Sequence, residues 1–403
     1  MYVLIDQVRR YEAEGIIERY TGWSFLQLLH DGNQACGCVL IHSTTQEKKN
    51  LYGKVLIASG GLNGMFGNAT GSVRNTGAVS ANLFASGVKF ANGEFIQYHP
   101  TTVKLHGKNM LITEAVRGEG GRLYVLENNK PVYFMEEKYP ELGNLMPRDV
   151  IAREEWLQME QGKQVYLDMS HLDKEVYERR LKGVIDDCIR FLGLDPRKEP
   201  IPVLPGIHYF MGGIWVDADH RTSMKNLYAA GECACQYHGA NRLGGNSLLG
   251  ALYGGSVAAK SAMKDEGIME NLKPLSDDME RRTDVAGSYV ENWKQLQEIM
   301  KNGLGIVRCE ETLKKALAEL DLLLKKVKEE YDGSATEEEN QALPDCCLLG
   351  RAMLMCAMER RESRGAHTRS DYPTECEKYQ KQTIAEYING KIQIHFQKAG
   401  ESV

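Results

Sequence analysis

The 403-residue sequence lacks the features that mark membrane-spanning, secreted and nucleic-acid-binding proteins. No apolar run reaches the roughly 20 residues that a transmembrane helix needs. Residues 1–6 have neither the basic nor the apolar region of a signal peptide. The formal net charge of -6 gives no reason to expect a nucleic acid partner. With 42% hydrophobic and 26% charged residues, the composition is that of a globular protein. We expect a cytoplasmic protein without a transmembrane segment of its own.

The cysteine spacing of metal sites is also missing. Three pairs of cysteines lie close together in the sequence: Cys36 and Cys38, Cys233 and Cys235, and Cys346 and Cys347. None has the Cys-x-x-Cys spacing of a zinc or iron–sulfur site, and a chain of this size does not need disulfides. The sequence therefore predicts free thiols and no metal site. If the protein is a redox enzyme, its electrons pass through a bound organic cofactor.

A dinucleotide-binding fold usually opens with a strand, a G-x-G-x-x-G turn and a helix, and this fingerprint is absent from the 403 residues. Later parts of such a fold are present. Apolar strands are predicted at 54–58 and 226–230, and they end at Gly60-Gly61 and Gly231-Glu232. Sheets of α/β proteins bind ligands at the ends of their strands. We expect the chain to begin inside the later part of a nucleotide-binding domain.

The remaining secondary structure is predicted from turn signals and periodicity. Strands at 24–29 and 37–41 flank an Asp31-Gly32 turn and indicate a hairpin. Helices are predicted at 151–156, 311–320 and 347–358, with a loop at 332–337. From about residue 275 the helical pattern dominates. The sequence thus indicates an α/β part followed by a helical part.

Several polar motifs are weak signals when each is taken alone. His99 and Arg148 have no neighbours that set them apart, and Glu114 and Arg117 have the spacing of an ordinary surface ion pair on one helical turn. His208 and Arg242 are more specific, because glycine-rich runs adjoin them. Glycine lets backbone amides approach an anion closely, and both side chains can hold a carboxylate.

Taken together, these motifs resemble the flavoprotein subunit of succinate dehydrogenase and fumarate reductase, of which L-aspartate oxidase is a near relative. They occur in that family's order and approximate spacing. The match continues through 361–373, a run with the sequence RESRGAHTRSDYP. The resemblance covers nearly the whole chain and fades after about residue 373.

The resemblance implies an α/β fold. It consists of a partial FAD-binding Rossmann-like domain, an inserted α+β capping domain and a C-terminal helical domain. The expected bounds are 1–92 for the truncated first part of the FAD-binding domain, 93–207 for the capping domain, 208–270 for the second part of the FAD-binding domain, and 271–403 for the helical domain. The ligand is expected between the FAD-binding and capping domains, because its proposed binding residues come from both.

The resemblance also implies FAD as the cofactor and a small dicarboxylate as the substrate. The positions that hold the dicarboxylate are matched by His99, Thr113, Glu114, His208 and Arg242. The positions that line the flavin are matched by Gly60, Gly61, Glu232, Asn246, Ser247 and Leu248. Arg148 matches the arginine that exchanges a proton with the substrate carbon, and Glu114 and Arg117 match its proton relay. An arginine is normally permanently charged, so it can act only as a transient donor to a strongly basic carbon.

The chain departs from the family pattern in three places. The G-x-G-x-x-G turn and the upstream flavin-attaching histidine have no counterpart, which leaves no basis for a covalent flavin. Ala78 stands where the family usually has Asp, which weakens one flavin contact. The run 204–207 replaces the Thr-Ala that commonly precedes the histidine at 208, and it is expected to shift the hinge beside the active site.

Three functional interpretations remain open at this point. The first is interconversion of fumarate and succinate, with an iron–sulfur or other electron-transfer subunit as partner, either in the cytoplasm or peripheral on the inner face of the cell membrane through that partner. The second is L-aspartate oxidase, which more often has Cys at the position of Met211 and Ala-Ser at Gly244-Gly245. The third is a fragment that cannot bind FAD alone and acts only within an assembly. Whichever interpretation holds, the missing G-x-G-x-x-G segment leads us to expect that the strands 55–57 and 227–229 expose apolar surface and open edges. The chain should then bind FAD poorly, be marginally stable and tend to aggregate.

Overall fold

The structure, a computed structural model, describes residues 2–235, 237–265, 267, 285–286 and 288–400. Its α-helices are α1 Tyr2–Ala13, α2 Ala78–Ala85, α3 Ala115–Gly118, α4 Phe134–Lys138, α5 Arg148–Glu160, α6 Lys182–Asp187, α7 Asn246–Lys264, α8 Tyr289–Gly303, α9 Glu310–Glu329 and α10 Glu337–Glu359. Short 3₁₀ helices span Asn63–Met65, Gly143–Leu145, Gly231–Cys233 and Glu377–Tyr379, and π-helical turns span Val176–Arg180 and Cys188–Leu192.

The strands, numbered along the chain, are β1 Trp23–Asp31, β2 Gln34–His42, β3 Lys48–Tyr52, β4 Val55–Ile57, β5 Phe90–Ala91, β6 Ile96–Leu105, β7 Lys108–Leu111, β8 Arg122–Glu127, β9 Lys130–Val132, β10 Val165–Asp168, β11 Ile201–Phe210, β12 Gly213–Trp215, β13 Leu227–Ala229, β14 Ala234–Cys235, β15 Val285–Ala286, β16 Val307–Arg308, β17 Glu330–Tyr331, β18 Thr368–Arg369, β19 Gln382–Ile388 and β20 Lys391–Gln397. The predicted hairpin, the four predicted strands and the helix at 151–156 are confirmed. Gly32 has a φ of 54° in the β1–β2 turn, a left-handed conformation that favours glycine.

A six-stranded antiparallel sheet in the order β7-β6-β11-β10-β8-β9 carries two of the proposed site histidines. Its core alternates along the strands, as in Leu123 and Val125 of β8 and Val165 and Leu167 of β10. Helix α5 packs against β6 and β11. The sheet therefore sets β6 and β11 side by side, with the first turn of α5 against them.

The parallel pair β4 and β13 corrects one expectation about exposed surface. Leu56 of β4 is 44% exposed, as expected, but every side chain of β13 is buried. Tyr228 packs with Ala258 of α7, and Leu227 belongs to a core cluster that includes Leu28 of β1. The expectation of exposed apolar surface on β13 was wrong, because α7 and β1 cover that strand.

Exposed apolar side chains are concentrated instead on two helices. Helix α1 has no buried residue, and Tyr2 is 85% exposed. On α7, Leu249 and Met263 are 66% and 79% exposed. None of the helices described here combines the length and the apolar content needed to cross a membrane. Large apolar patches on a protein surface usually mark contact sites.

The C-terminal part combines helices with a hairpin that was not predicted. Helices α8, α9 and α10 bury Leu296, Leu320 and Met353 in one core with Phe210. A reciprocal capping box between Thr336 and Glu339 begins α10, so the predicted loop ends one residue earlier than expected. Strands β19 and β20 then complete a five-stranded sheet in the order β14-β12-β5-β19-β20. The boundary expected at 270/271 lies outside the described residues.

A buried ion network joins the C-terminal part to the strand that leads to the site. Arg360 donates to Glu94 at 2.6 Å and to Glu362 at 2.9 Å, and all three side chains are fully buried. Arg360 also donates to Thr383 of β19 at 2.8 Å. Glu94 lies two residues before β6, so this network anchors the start of that strand.

Replacing Arg360 with Ala should lower the free energy of unfolding by about 3–5 kcal/mol, because it leaves the buried carboxylate of Glu94 without its cation, while Glu362 keeps its ion pair with Arg364. Chemical denaturation followed by circular dichroism measures the change. The matched control is Arg361→Ala, at the exposed neighbouring position, which should leave stability within about 0.5 kcal/mol. Equal stability of the two variants would contradict the assigned role of the network.

Candidate active site

Strand pairing brings His99 and His208 together. His99 of β6 lies opposite Gly206 of β11, and the His99 and His208 rings are 5.1 Å apart between centroids at an interplanar angle of 69°. Thr70 Oγ1 lies 2.7 Å from His208 Nδ1, and the Thr101 amide donates to His99 Nδ1 at 3.3 Å. Neighbouring side chains and backbone therefore fix the orientation of both rings.

Both histidines are electrically neutral near neutral pH. Burial lowers the pKa of His99 well below its ordinary value, and the electrostatic interactions of His99 with His208, Arg148 and Arg117 lower it further. Burial and then the charge of Arg242 lower the pKa of His208 to about 3. A neutral imidazole still donates one hydrogen bond. The pair can thus hold a carboxylate by hydrogen bonding without charge.

Glu114 joins two arginines. It precedes the short helix α3, which places Arg117 three residues away on the same face, as the spacing predicted. Arg148 Nη2 donates to Glu114 Oε2 at 2.7 Å, and Arg117 Nη2 donates to Glu114 Oε1 at 3.1 Å. Burial raises the pKa of Glu114, but the hydrogen bonds and charges of Arg148 and Arg117 outweigh it and leave the pKa lowered. Thr113 Oγ1 accepts from the Ala115 amide at 3.3 Å and stays half-buried beside them.

The glycine at 244 lets the loop after Arg242 reach this pair. A Cβ on Gly244 would lie 2.5 Å from Glu114 Oε2 and 3.0 Å from Arg148 Nη2. A contact of 2.5 Å is shorter than any van der Waals distance between carbon and oxygen, so glycine is required at this point unless Glu114 moves. The loop from Arg242 to Gly244 therefore closes directly onto the Arg148–Glu114 ion pair.

Arg242 is a buried cation with an unused donor. Its guanidinium carbon lies 4.5 Å from the centre of the Tyr209 ring, and only 4% of the residue is exposed. Within the described residues, its Nε has no hydrogen-bond partner. Burial lowers the pKa of Arg242, and the charge of Arg148 lowers it further. A buried, incompletely satisfied guanidinium of this kind favours binding of an anion.

Sequence reasoning missed three polar side chains at the same place. Gln97 is fully buried, two residues before His99 on β6, and it accepts from Arg148 Nη1 at 3.0 Å. Asn241 donates to Asp149 at 2.7 Å. Their positions in the sequence could have indicated them. Gln97 lies two residues before His99 and so shares a strand face with it, and Asn241 and Asp149 each adjoin a proposed site arginine.

Glu155 was also missed, and it lies within electrostatic reach of Arg117. Its side chain is fully buried, and neither carboxylate oxygen has a hydrogen-bond partner among the residues that the structure describes. Burial raises the pKa of Glu155 well above its ordinary value, and the charge of Arg117 only partly opposes this. The run Arg153-Glu154-Glu155 looks like a solvated helix face, so the sequence carried no signal of a buried acid.

The stretches expected to contact a flavin also come together. A Cβ on Gly61 would lie 2.6 Å from Glu232 Oε1, and Gly60 has a φ of 77°. Glu232 accepts from the Phe210 amide at 3.1 Å, and burial raises the pKa of Glu232 to about 7. The 3₁₀ turn that carries Glu232 packs against α7.

The start of α7 suits an anionic group. The helix begins at Asn246, Ser247 and Leu248, after Gly245 with a φ of 81°. Its first turn has neither an acidic residue nor a side-chain cap. Apart from the Asn246 amide, which donates to the Leu243 carbonyl oxygen at 3.3 Å, the amides of this turn therefore remain available to an anion. These open amides fit the anionic phosphate groups of a flavin dinucleotide.

The His208→Asn variant should lose less stability than the wild type when the pH falls from about 6.5 to about 4. The folded protein keeps His208 neutral down to about pH 3, whereas the unfolded chain binds a proton near pH 6.5. The contribution of His208 is therefore complete above pH 6.5 and falls with acidification, by at most about 1.4 kcal/mol per pH unit. Denaturation at several pH values measures the slope. His106→Asn, at an exposed position, is the control and should show the wild-type dependence of stability on pH. The same pH dependence in the wild type and both variants would contradict a buried, neutral His208.

Comparison with known proteins agrees with this geometry. Residues 1–248 match a family model described as an FAD binding domain, and residues 293–400 match one described as the fumarate reductase flavoprotein C-terminal region. The succinate dehydrogenase flavoprotein subunit of Bacillus subtilis is 36% identical over an alignment 421 positions long, which covers 96% of this chain and 72% of that protein. An L-aspartate oxidase of Pyrococcus furiosus is 36% identical over 334 residues, which cover 83% of this chain and 63% of the oxidase.

Solved structures give the same result. The flavoprotein of E. coli quinol fumarate reductase superposes with a TM-score of 0.80 at 26% identity, covering 98% of this chain and 74% of that one. The predicted fold class and the FAD cofactor are confirmed by these matches. The chain belongs to the family of FAD-dependent oxidoreductases that contains the flavoprotein subunits of succinate dehydrogenase and fumarate reductase.

Proposed function

We propose that the protein interconverts fumarate and succinate, with Arg148 as the group that exchanges a proton with the substrate carbon. The proposal rests chiefly on the bridging position of Glu114, which binds Arg148 through both carboxylate oxygens and Arg117 through Oε1. This arrangement aligns a proton donor with a chain of groups that can resupply it.

The proposed binding residues suit a molecule with two carboxylates. Such a substrate needs donors or cations at both ends. Arg242 offers a buried charge and an Nε that has no hydrogen-bond partner among the described residues, and the neutral imidazoles of His99 and His208 offer hydrogen bonds for the other end. Thr113, next to Glu114 in the sequence, is proposed to add a hydroxyl group. His99, Arg148 and Arg242 are nearly inaccessible to solvent, so the charges act in a medium that screens them less than water does.

The chemistry needs one hydride and one proton. FAD, when bound, supplies or accepts the hydride. In the reductive direction, hydride addition at one alkene carbon builds negative charge on the adjacent carbon and its carboxylate. Arg148 gives a proton from its guanidinium to that carbon, and Glu114 and Arg117 return a proton to Arg148. The reverse steps oxidise succinate. The dense ion pairing of Glu114 holds Arg148 in one orientation for this transfer.

We further propose that Gly60, Gly61, Glu232, Asn246, Ser247 and Leu248 contact FAD. The glycine turn and the open amides at the start of α7 support this assignment.

An iron–sulfur or other electron-transfer subunit is the proposed partner. We propose that the protein is either a free cytoplasmic enzyme or attached peripherally to a membrane through such a subunit. The domain bounds 1–92, 93–207 and 208–270 stay predictions, and β11 runs through Phe210 without a break at 207.

L-aspartate oxidase is the second candidate function, because a relative with that name is 36% identical. The contact at Gly244 favours the first candidate. An alanine there, as the oxidase more often has, would displace the carboxylate of Glu114 from its position against Arg148. Two assays of the FAD-loaded protein separate the candidates: oxidation of a reduced dye that depends on fumarate, and production of hydrogen peroxide that depends on aspartate. Activity in the second assay alone would refute the proposed function.

Arg148→Gln and Arg148→Lys should abolish turnover in the FAD-loaded protein while succinate binding is largely kept. Loss of a positioned proton donor should lower kcat by about 10²–10⁴-fold, with a much smaller change in Kd. Stopped-flow reduction of fumarate and isothermal titration with succinate measure the two quantities. Arg153→Gln, five residues along the same helix and half-buried, is the control and should keep wild-type kcat. A near-normal kcat in either Arg148 variant would remove Arg148 from the mechanism.

Arg242→Ala should weaken binding first. Loss of a charge-assisted hydrogen bond costs about 1.5–3 kcal/mol, which corresponds to roughly tenfold to 100-fold in the Kd for succinate. Calorimetric titration checks this, and His208→Ala should change Kd in the same direction. An unchanged Kd in Arg242→Ala would show that the dicarboxylate does not bind at this guanidinium.

A further inference from the structure

Asn241 is bonded at both ends of its side-chain amide. Its Nδ2 donates to Asp149 Oδ1 at 2.7 Å, and its Oδ1 accepts from Gln97 Nε2 at 2.9 Å. Gln97 Nε2 also donates to the carbonyl oxygen of Arg242 at 2.7 Å, and Gln97 Oε1 accepts from Arg148 Nη1 at 3.0 Å. Because Arg148 and Asp149 are adjacent in sequence, these contacts form a closed ring that includes the Arg148 side chain and is joined to the backbone of Arg242.

The loop that carries Asn241 is also held from its other side. The Ala366 amide donates to the Ala240 carbonyl oxygen at 2.9 Å. Gly365, with a φ of 52°, packs so closely that a Cβ there would lie 2.5 Å from the same oxygen. The loop at 239–242 is therefore clamped between the C-terminal part of the chain and the first turn of α5. Its side-chain contacts toward α5 are those of Asn241.

We propose that Asn241 is a positioning residue that fixes the spacing between Arg148 and Arg242, by tying the loop at 239–242 to the start of α5. The inference rests on the proposed function, in which Arg148 exchanges the proton and Arg242 binds a carboxylate of the same substrate. Both arginines are buried cations that repel each other. The uncharged side chains of Asn241 and Gln97 connect the segments that carry the two arginines, through hydrogen bonds to the Asp149 carboxylate, the Arg148 guanidinium and the Arg242 carbonyl oxygen.

The ring has a chemical consequence for turnover. A substrate carboxylate held by Arg242 fixes where the reacting carbon lies, and Arg148 must reach that carbon. A misplacement of about 1 Å between reacting groups can cost about 100-fold in rate. Loss of Asn241 should therefore lower kcat much more than it weakens binding, because Arg242 keeps its contact with the Tyr209 ring.

A polarity swap tests the proposal. In Asn241→Asp, two carboxylates face each other at positions 149 and 241, and the donor to Asp149 is lost. We expect kcat for fumarate to fall by about 10–100-fold, with a much smaller change in the Kd for succinate. In Asp149→Asn, the new amide oxygen can still accept from Asn241, so kcat should fall less than it does in Asn241→Asp. The double variant, Asn241→Asp with Asp149→Asn, restores the hydrogen bond with donor and acceptor exchanged, and should recover kcat.

Two further variants complete the design. Asn241→Ser removes both side-chain hydrogen bonds without adding charge, and should also lower kcat more than it raises Kd; it supplies the test if Asn241→Asp does not fold. Asn128→Asp, in the exposed β8–β9 turn, makes the same chemical change away from the site and should behave as wild type.

Hydrogen exchange makes the test independent of catalysis. The Ala366 amide, which donates to Ala240, reports on the loop at 239–242. Its exchange should be faster in Asn241→Asp than in the wild type and should return to the wild-type rate in the double variant. If the wild type does not reduce fumarate, the proposed function is wrong, and the exchange data still decide whether Asn241 holds the loop. Wild-type kcat and exchange in Asn241→Asp, or a double variant as impaired as Asn241→Asp, would overturn the proposal.

Discussion

The constraint on which the site depends is the burial of three arginines around one small volume. Arg117, Arg148 and Arg242 are 2%, 8% and 4% exposed. Glu114 pairs with the first two, while Arg242 contacts the Tyr209 ring and the Leu243 carbonyl oxygen, and its Nε has no partner in the part of the chain that the structure describes. Buried charge is costly unless it is compensated. The site is therefore suited to receive negative charge, which the proposed dianionic substrate would supply.

The fold supports this arrangement from three directions. The antiparallel pairing of β6 and β11 fixes the two histidines, and the first turn of α5 brings Arg148 against them. The buried network around Arg360 anchors the start of β6 to the C-terminal part. The turn at 364–367 holds the loop that carries Arg242. Each proposed site residue is thus positioned by contacts with a distant part of the chain, which is why a change at Arg360 bears on a site it does not touch.

The sequence predicted the parts of the fold that local patterns determine. Apolar runs, the Asp31-Gly32 turn and helical periodicity located the elements, and the family's motifs identified the candidate site residues. Sequence reasoning missed the features that arise only when segments far apart in the chain pack together. The hairpin at 382–397 completes a sheet begun at residues 90–91, and α7 covers β13. Gln97, Asn241 and Glu155 are unremarkable in sequence, because their importance arises only when β6, α5 and the loop at 239–242 meet.

The most direct test of the account is a crystal structure of the FAD-loaded protein with succinate. The account predicts that one carboxylate lies within hydrogen-bonding distance of Arg242 and the other within reach of His99 and His208. It also predicts that the guanidinium of Arg148 faces a methylene carbon with no water between them. Succinate bound away from Arg242, or Arg148 separated from the substrate carbons by ordered water, would contradict the claim that these buried cations form one dicarboxylate site.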